Sequence, residues 1–138
     1  MKKYFSVSTE QYPFHILFSL GQDSKELVAS MKESGLVLGE EEEKLMNFPE
    51  EDFGVTVPFE GGAVLVWVRE FSGDPDSHGR VAHEIFHATE WLMRWIGIKP
   101  GKKSSEAYAY MIQFLTTKFN TEILNAKDRG NKKRAHKK

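Results

Sequence analysis

The stretch from residue 55 to residue 97 limits the fold more than any other part of the chain. Residues 55–59 and 63–71 are rich in β-favouring side chains, and a Glu-Gly-Gly turn joins them, which is typical of a β-hairpin. The sequence SGDPDSHG then breaks the second run and supplies oxygen atoms that can cap a helix starting near Pro75. We expect this helix to run to about Gly97. A hairpin followed at once by a long helix predicts an α+β fold.

Shorter elements precede this unit. Residues 4–21 are rich in aromatic and β-favouring side chains, and they predict one broken strand or a hairpin. Residues 23–35 begin with a capping aspartate and carry apolar side chains at helical spacing, which predicts a short amphipathic helix. Residues 39–52 contain seven acidic side chains and predict a solvated loop or a short helical turn.

A last helix is predicted after the turn KPGKKSS. Ser104 or Ser105 can cap it, and it should extend over about residues 106–124. Because the turn is short, this helix should return antiparallel to the preceding one. We therefore predict a small antiparallel sheet packed against the helix of residues 75–97 and against the helix that follows it.

Length and charge give the domain organisation. A chain of 138 residues with 40% apolar and 28% charged side chains suits one globular domain, which we place at residues 1–124. The net charge of −1 is unevenly distributed, because residues 125–138 carry +6 and the rest of the chain carries −7. We predict that residues 125–138 form a basic, disordered tail. Such a charge run alone is usually solvated, so we do not predict a nucleic-acid partner from it.

Absent residue types narrow the chemistry. The chain has no cysteine, which excludes disulfides, thiolate zinc sites and cysteine nucleophiles. No apolar run approaches the roughly 18 residues needed to cross a bilayer, and the N-terminus makes a poor signal peptide. We therefore expect a cytoplasmic protein without a membrane partner. The sequence gives no signal for the oligomeric state.

The sequence RVAHEIFHATEWLMRW carries the main functional signal. His83 and His87 are four residues apart, so a helix places both imidazoles on one face, where they can bind the same ion. Glu84 is rotated about 100° from His83, where a general base for a metal-bound water is needed. The alternative is a packing helix, and an apolar stripe at spacings of three and four supports packing as well. The stripe does not require histidines, so we predict a Zn²⁺ site.

A catalytic zinc ion usually has three protein ligands and one water. We predict Glu106 as the third ligand, because an antiparallel helix brings its carboxylate back toward the histidines; an acidic side chain favoured by the helix dipole is the alternative. Tyr110, four residues later on the same face, could place its hydroxyl near the substrate oxyanion, although a packing role fits it equally. Tyr108 is predicted to pack, and Glu90 to lie at the surface or behind a ligand.

The sequence HEIFH followed by SEAYAYMIQFL resembles the gluzincin pattern of zinc peptidases, in which a glutamate on a downstream helix completes a His-His-Glu site. The compact spacing is similar to that of ImmA/IrrE-type metallopeptidases and of small phage-encoded proteins with this motif. The resemblance implies a minimal zincin-like core, a hydrolase acting on a peptide or protein substrate, and a phage or prophage origin. Its specific part covers residues 81–115.

Two functions follow from these observations. In the first, the protein is a zinc-dependent metallopeptidase in which Glu84 activates the zinc-bound water, and the substrate adds to the strand edge at residues 63–71. In the second, a non-catalytic domain is stabilised by zinc and binds a protein or nucleic-acid partner. Three obvious ligands leave one position open, which favours the enzyme.

Overall fold

A computed structural model describes residues 1–10 and 12–136 of the protein, with side chains up to residue 133. It contains four strands and four helices, which confirms the α+β class. In chain order the elements are β1 (Lys3–Ser8), β2 (His15–Leu20), α1 (Ser24–Glu33), α2 (Glu40–Leu45), β3 (Gly54–Phe59), β4 (Ala63–Val68), α3 (Pro75–Trp95) and α4 (Ser105–His136). None of the helices in the described part of the chain is long and apolar enough to cross a bilayer.

The sheet is mixed, so the predicted antiparallel sheet is wrong in one pairing. The strand order is β1-β2-β4-β3; the two outer pairs are antiparallel, while β2 and β4 are parallel, with Ile16 opposite Val64. A parallel pair needs a long connection between its strands, and α1 and α2 lie within that connection. The central strands HILFSL and AVLVWV are almost continuously buried, as expected for strands that are covered on both faces.

Alternating side chains of the central strands build a core on each face of the sheet. On one face, Phe18 and Val66 belong to the cluster that α3 and α4 complete with Ile85 and Phe119. On the other face, Trp67 packs with residues of α1 and with Met46. The sheet is thus fixed between two helical layers, and α3 is held against it.

Local sequence determines where α3 begins. The Asp74 side chain accepts a hydrogen bond from the Ser77 main-chain N–H at 2.8 Å, and Pro75 occupies the first turn. Hydrogen bonds from Ser77 hold the pKa of the Asp74 carboxyl below its usual range. Gly97, with φ of 82°, follows the C-terminal end of the helix. The helix bounds therefore agree with the predicted ones within two residues.

The last helix is longer than predicted. We expected α4 to end near Leu124, with a disordered tail behind it, whereas the structure continues α4 through His136. Leu115, Phe119 and Ile123 anchor the first part of the helix in the core, and residues 127–133 are exposed. Residues 137 and 138, the end of the predicted basic tail, lie outside the described residues.

Candidate functional site

The histidine pair lies on the outer face of α3, away from the apolar stripe. The Nε2 atoms of His83 and His87 are 3.2 Å apart, and the side chains are 68% and 45% exposed. Two imidazole nitrogens bound to one tetrahedral zinc ion at about 2.0–2.1 Å lie roughly 3.4 Å apart. The pair therefore fits two ligands of such an ion. A hydrogen bond between two neutral rings, with one Nε2–H donating, has the same separation.

Glu90 contacts the other ring nitrogen of His87, and this contact is compatible with both arrangements. Its Oε1 atom lies 3.2 Å from Nδ1 of His87, one turn further along α3. When Nδ1–H donates to this carboxylate, the ring carries its lone pair on Nε2, which is the atom that faces His83. Histidines that bind metals commonly have such a carboxylate behind them. The contact fits the interpretation of Glu90 as a residue behind a ligand.

Glu84 points from α3 toward the sheet and is buried between the helix and β3. The Thr56 hydroxyl donates a hydrogen bond to Oε2 at 2.5 Å and lies 3.2 Å from the main-chain oxygen of Glu84. The other carboxylate oxygen, Oε1, lies 4.0 Å from Nε2 of His83. The carboxylate is therefore held beside the histidine pair, at the position that the motif predicts for a base.

Gly54 and Thr56 contact Glu84, and neither was predicted from the sequence as part of the candidate site. A Cβ atom at Gly54 would lie 3.2 Å from both Cγ and Oε1 of Glu84, so a glycine allows the strand to approach the carboxylate closely. Their only signal in the sequence is the two-residue interval between Gly54, just before the predicted strand of residues 55–59, and Thr56 within it. In an extended chain this interval places both residues on one face.

The strand edge beside the site is β3, and the predicted edge at residues 63–71 is wrong. β4 pairs with β2 on one side and with β3 on the other, so it has no free edge. The Arg69 N–H donates to the Phe53 oxygen at 3.0 Å. Since hydrogen-bonded positions alternate in an antiparallel ladder, the main-chain N–H and C=O groups of Gly54 and Thr56 point away from β4.

An open groove of about 610 Å³ lies between α3 and the start of β3. Its wall contains His83 and Glu84 together with Phe53, Gly54, Asp76 and Arg80. This volume is in the range of small-ligand sites. The candidate base and one histidine of the pair thus face a space that a substrate can enter.

Glu106 does not join the histidine pair. Among the residues described, no group of three or more His, Asp or Glu side chains is arranged to hold a metal ion. Met93 of α3 lines one cavity with Ala107 and Met111, so the start of α4 lies near the C-terminal end of α3. His87 is eight residues before Trp95, which corresponds to about 12 Å of helix. Glu106 is exposed and lies at the far end of α3 from the site.

The two tyrosines of α4 lie away from the groove as well. Tyr110 is 66% exposed and lines the same cavity as Met93, not the groove at His83. Tyr108 is buried, and its hydroxyl donates to the main-chain oxygen of Ile98 at 2.8 Å, which agrees with the predicted packing role. The structure therefore brings His83, Glu84 and His87 together, and places Glu106 and Tyr110 elsewhere.

The position of Glu106 leads to a direct test. We expect Glu106→Gln to change the dissociation constant for zinc less than about threefold, because the carboxylate is far from the histidines. Loss of a side chain that binds zinc directly should weaken zinc binding by more than about 10- to 100-fold, which is the loss typical of residues that only hydrogen-bond to a zinc ligand. Competition with a chromophoric chelator measures this constant. A loss above 100-fold in the variant would restore Glu106 as the third ligand.

No family model matches the chain, and neither the curated proteins nor the solved structures give a match. The resemblance to gluzincins therefore rests on the motif residues themselves.

Proposed function

We propose that the protein is a zinc-dependent peptidase with Glu84 as its general base. One observation carries the proposal: the His83 and His87 Nε2 atoms lie 3.2 Å apart beside the buried Glu84 carboxylate, next to a groove at the start of β3. A zinc ion bound by the two histidines would polarise the substrate carbonyl and make water more acidic. The roles of the side chains follow from their positions.

Glu84 is suited to move a proton. The Thr56 hydroxyl holds Oε2, so Oε1 is the oxygen that remains on the His83 side. From there Oε1 accepts a proton from the water that attacks the peptide carbonyl, and the same oxygen returns the proton to the leaving amine. Thr56 is a positioning residue, because its bond keeps the carboxylate from rotating away.

The edge of β3 is suited to bind an extended peptide. The outward N–H and C=O groups of Gly54 and Thr56 can form a short ladder with a substrate main chain. Pro58 has no N–H to donate, which limits the ladder toward the other end of β3. The bound segment is thereby aligned next to Glu84, where the scissile carbonyl must lie.

Removal of one histidine tests the metal-binding part of the proposal. We expect the wild-type protein, after dialysis against zinc, to retain about one zinc ion per chain, and His87→Ala to retain none, because one imidazole alone binds weakly. Elemental analysis of the dialysed samples gives the ratio. His15→Ala, at the exposed start of β2, is the matched control and should retain zinc as the wild type does. A wild-type sample that stays metal-free contradicts the proposal.

A second function is favoured by the position of Glu106. With two histidines and no third ligand among the described residues, the site would be a metal-binding module that holds a peptide on β3 without cleaving it. Both functions predict zinc and peptide binding. Only the peptidase predicts that fragments accumulate with time and that their formation stops when a chelator removes the metal.

A further inference from the structure

We propose that Arg80 binds the C-terminal carboxylate of the substrate, so that the site acts on peptides whose chain ends one or two residues after the scissile bond. This inference rests on the proposed peptidase function. It defines a carboxylate-binding subsite in the part of the groove nearest to the start of β3.

Arg80 is one helical turn before the histidine pair. It precedes His83 by three residues, which corresponds to about 4.5 Å along the axis of α3, and both side chains line the groove. The guanidinium carbon lies 5.0 Å from the centre of the Phe53 ring, a cation–π arrangement. Phe53 is 54% exposed, and its ring lies beside the guanidinium at the groove wall.

The guanidinium forms no ion pair, although it lies near enough to Asp74 for its charge to help lower the pKa of that carboxyl. Within the part of the chain that the structure describes, no carboxylate lies within 4.0 Å of Arg80, and its side chain makes no hydrogen bond. Arg69, in contrast, donates to the main-chain oxygens of Asp52 and Pro49. Asp76 also lines the groove but lies beyond ion-pair distance. Arg80 can therefore offer its planar N–H groups to an incoming carboxylate, which this side chain binds with two parallel hydrogen bonds.

The direction of β3 decides which end of a substrate reaches Arg80. β3 runs from Gly54 to Phe59, and antiparallel pairing is somewhat more stable per residue than parallel pairing. A peptide that pairs antiparallel with this edge has its C-terminal end at Gly54, next to Phe53 and Arg80. One or two residues of extended chain span about 3–7 Å, which is comparable to the one-turn offset between Arg80 and His83.

Two peptides of the same sequence test the assignment, one with a free C-terminal carboxylate and one with a C-terminal amide. For the wild type we expect kcat/KM to be about 10- to 100-fold higher for the acid, the range for hydrogen bonds to charged groups. Arg80→Gln should remove this preference, and Arg80→Lys should keep part of it. Arg94→Gln, an exposed arginine of α3 outside the groove, is the matched control and should keep the full preference.

A binding measurement separates the subsite from catalysis. In Glu84→Gln protein, with and without zinc, calorimetry should show at least tenfold tighter binding of the acid than of the amide, and addition of Arg80→Gln should abolish the difference. If the peptide with the free carboxylate binds more tightly but the wild type cleaves no peptide or protein substrate, the peptidase proposal fails and the carboxylate-binding subsite stands. Equal affinity of the two peptides, or no measurable binding of either, overturns the assignment of Arg80.

Discussion

Glu84→Gln is expected to lower kcat/KM for peptide hydrolysis by about 100- to 10,000-fold, the range lost with a general base. Glutamine has nearly the same volume, and its amide oxygen can still accept the Thr56 hydroxyl, so the contact with β3 is kept. It cannot take a proton from water at neutral pH. The rate is measured with a peptide substrate at saturating zinc, and the thermal unfolding midpoint confirms that the variant is folded.

Glu90→Gln is the matched control for this prediction. Glu90 accepts a hydrogen bond from His87 but lies behind the ring, so its loss should act on metal affinity, by about 10- to 100-fold. Activity of this variant should return when zinc is raised to saturation, whereas that of Glu84→Gln should not. Wild-type rates in Glu84→Gln at saturating zinc would disprove the role of Glu84 as the base.

Phe119→Ala is expected to destabilise the fold by about 3–5 kcal/mol, the usual loss for a fully buried phenylalanine. The Phe119 side chain is 1% exposed, and its ring lies 5.4 Å from that of Phe18 and 5.6 Å from that of Phe71. It thus joins α4 to the sheet and to the segment that leads into α3. A loss of this size is a large part of the 5–15 kcal/mol that stabilises typical domains.

Thermal and denaturant unfolding measure this effect. For a chain of this size we expect the midpoint of Phe119→Ala to fall by roughly 10–20 °C. Leu124→Ala is the matched control on the same helix, because Leu124 is 61% exposed and its truncation should change stability by less than about 0.5 kcal/mol. Equal midpoints for the two variants would show that α4 is not packed against the sheet as described.

Local spacing made α3 and its histidine pair predictable. The capping Asp74, the apolar residues at spacings of three and four, and the His83–His87 interval all act within a few turns of one helix. The helical repeat alone places both imidazoles on one face and Glu84 about 100° away from His83. These relations hold for this segment in whichever fold it is embedded.

Contacts between distant segments were not predictable in the same way. The parallel pairing of β2 with β4 leaves β3 as the outer strand. The free edge beside the histidine pair therefore belongs to β3 and not to residues 63–71, where we expected it. The hydrogen bond from Thr56 to Glu84 joins residues that are 28 positions apart. No periodicity within either segment encodes such a partner, because it depends on how the sheet and α3 pack.

The sequence by itself determined the α+β class, through its β-rich runs and helical spacings. It also determined the bounds of α3 within two residues and the juxtaposition of His83, Glu84 and His87, because short-range helix geometry fixes them. Only the tertiary structure decided that Glu84 is held by Thr56 at the β3 edge, that Arg80 and Phe53 share the groove, and that Glu106 lies near the opposite end of α3. These positions depend on strand order and on the alignment of α4 along α3, which are set by burial of apolar surface across the whole chain.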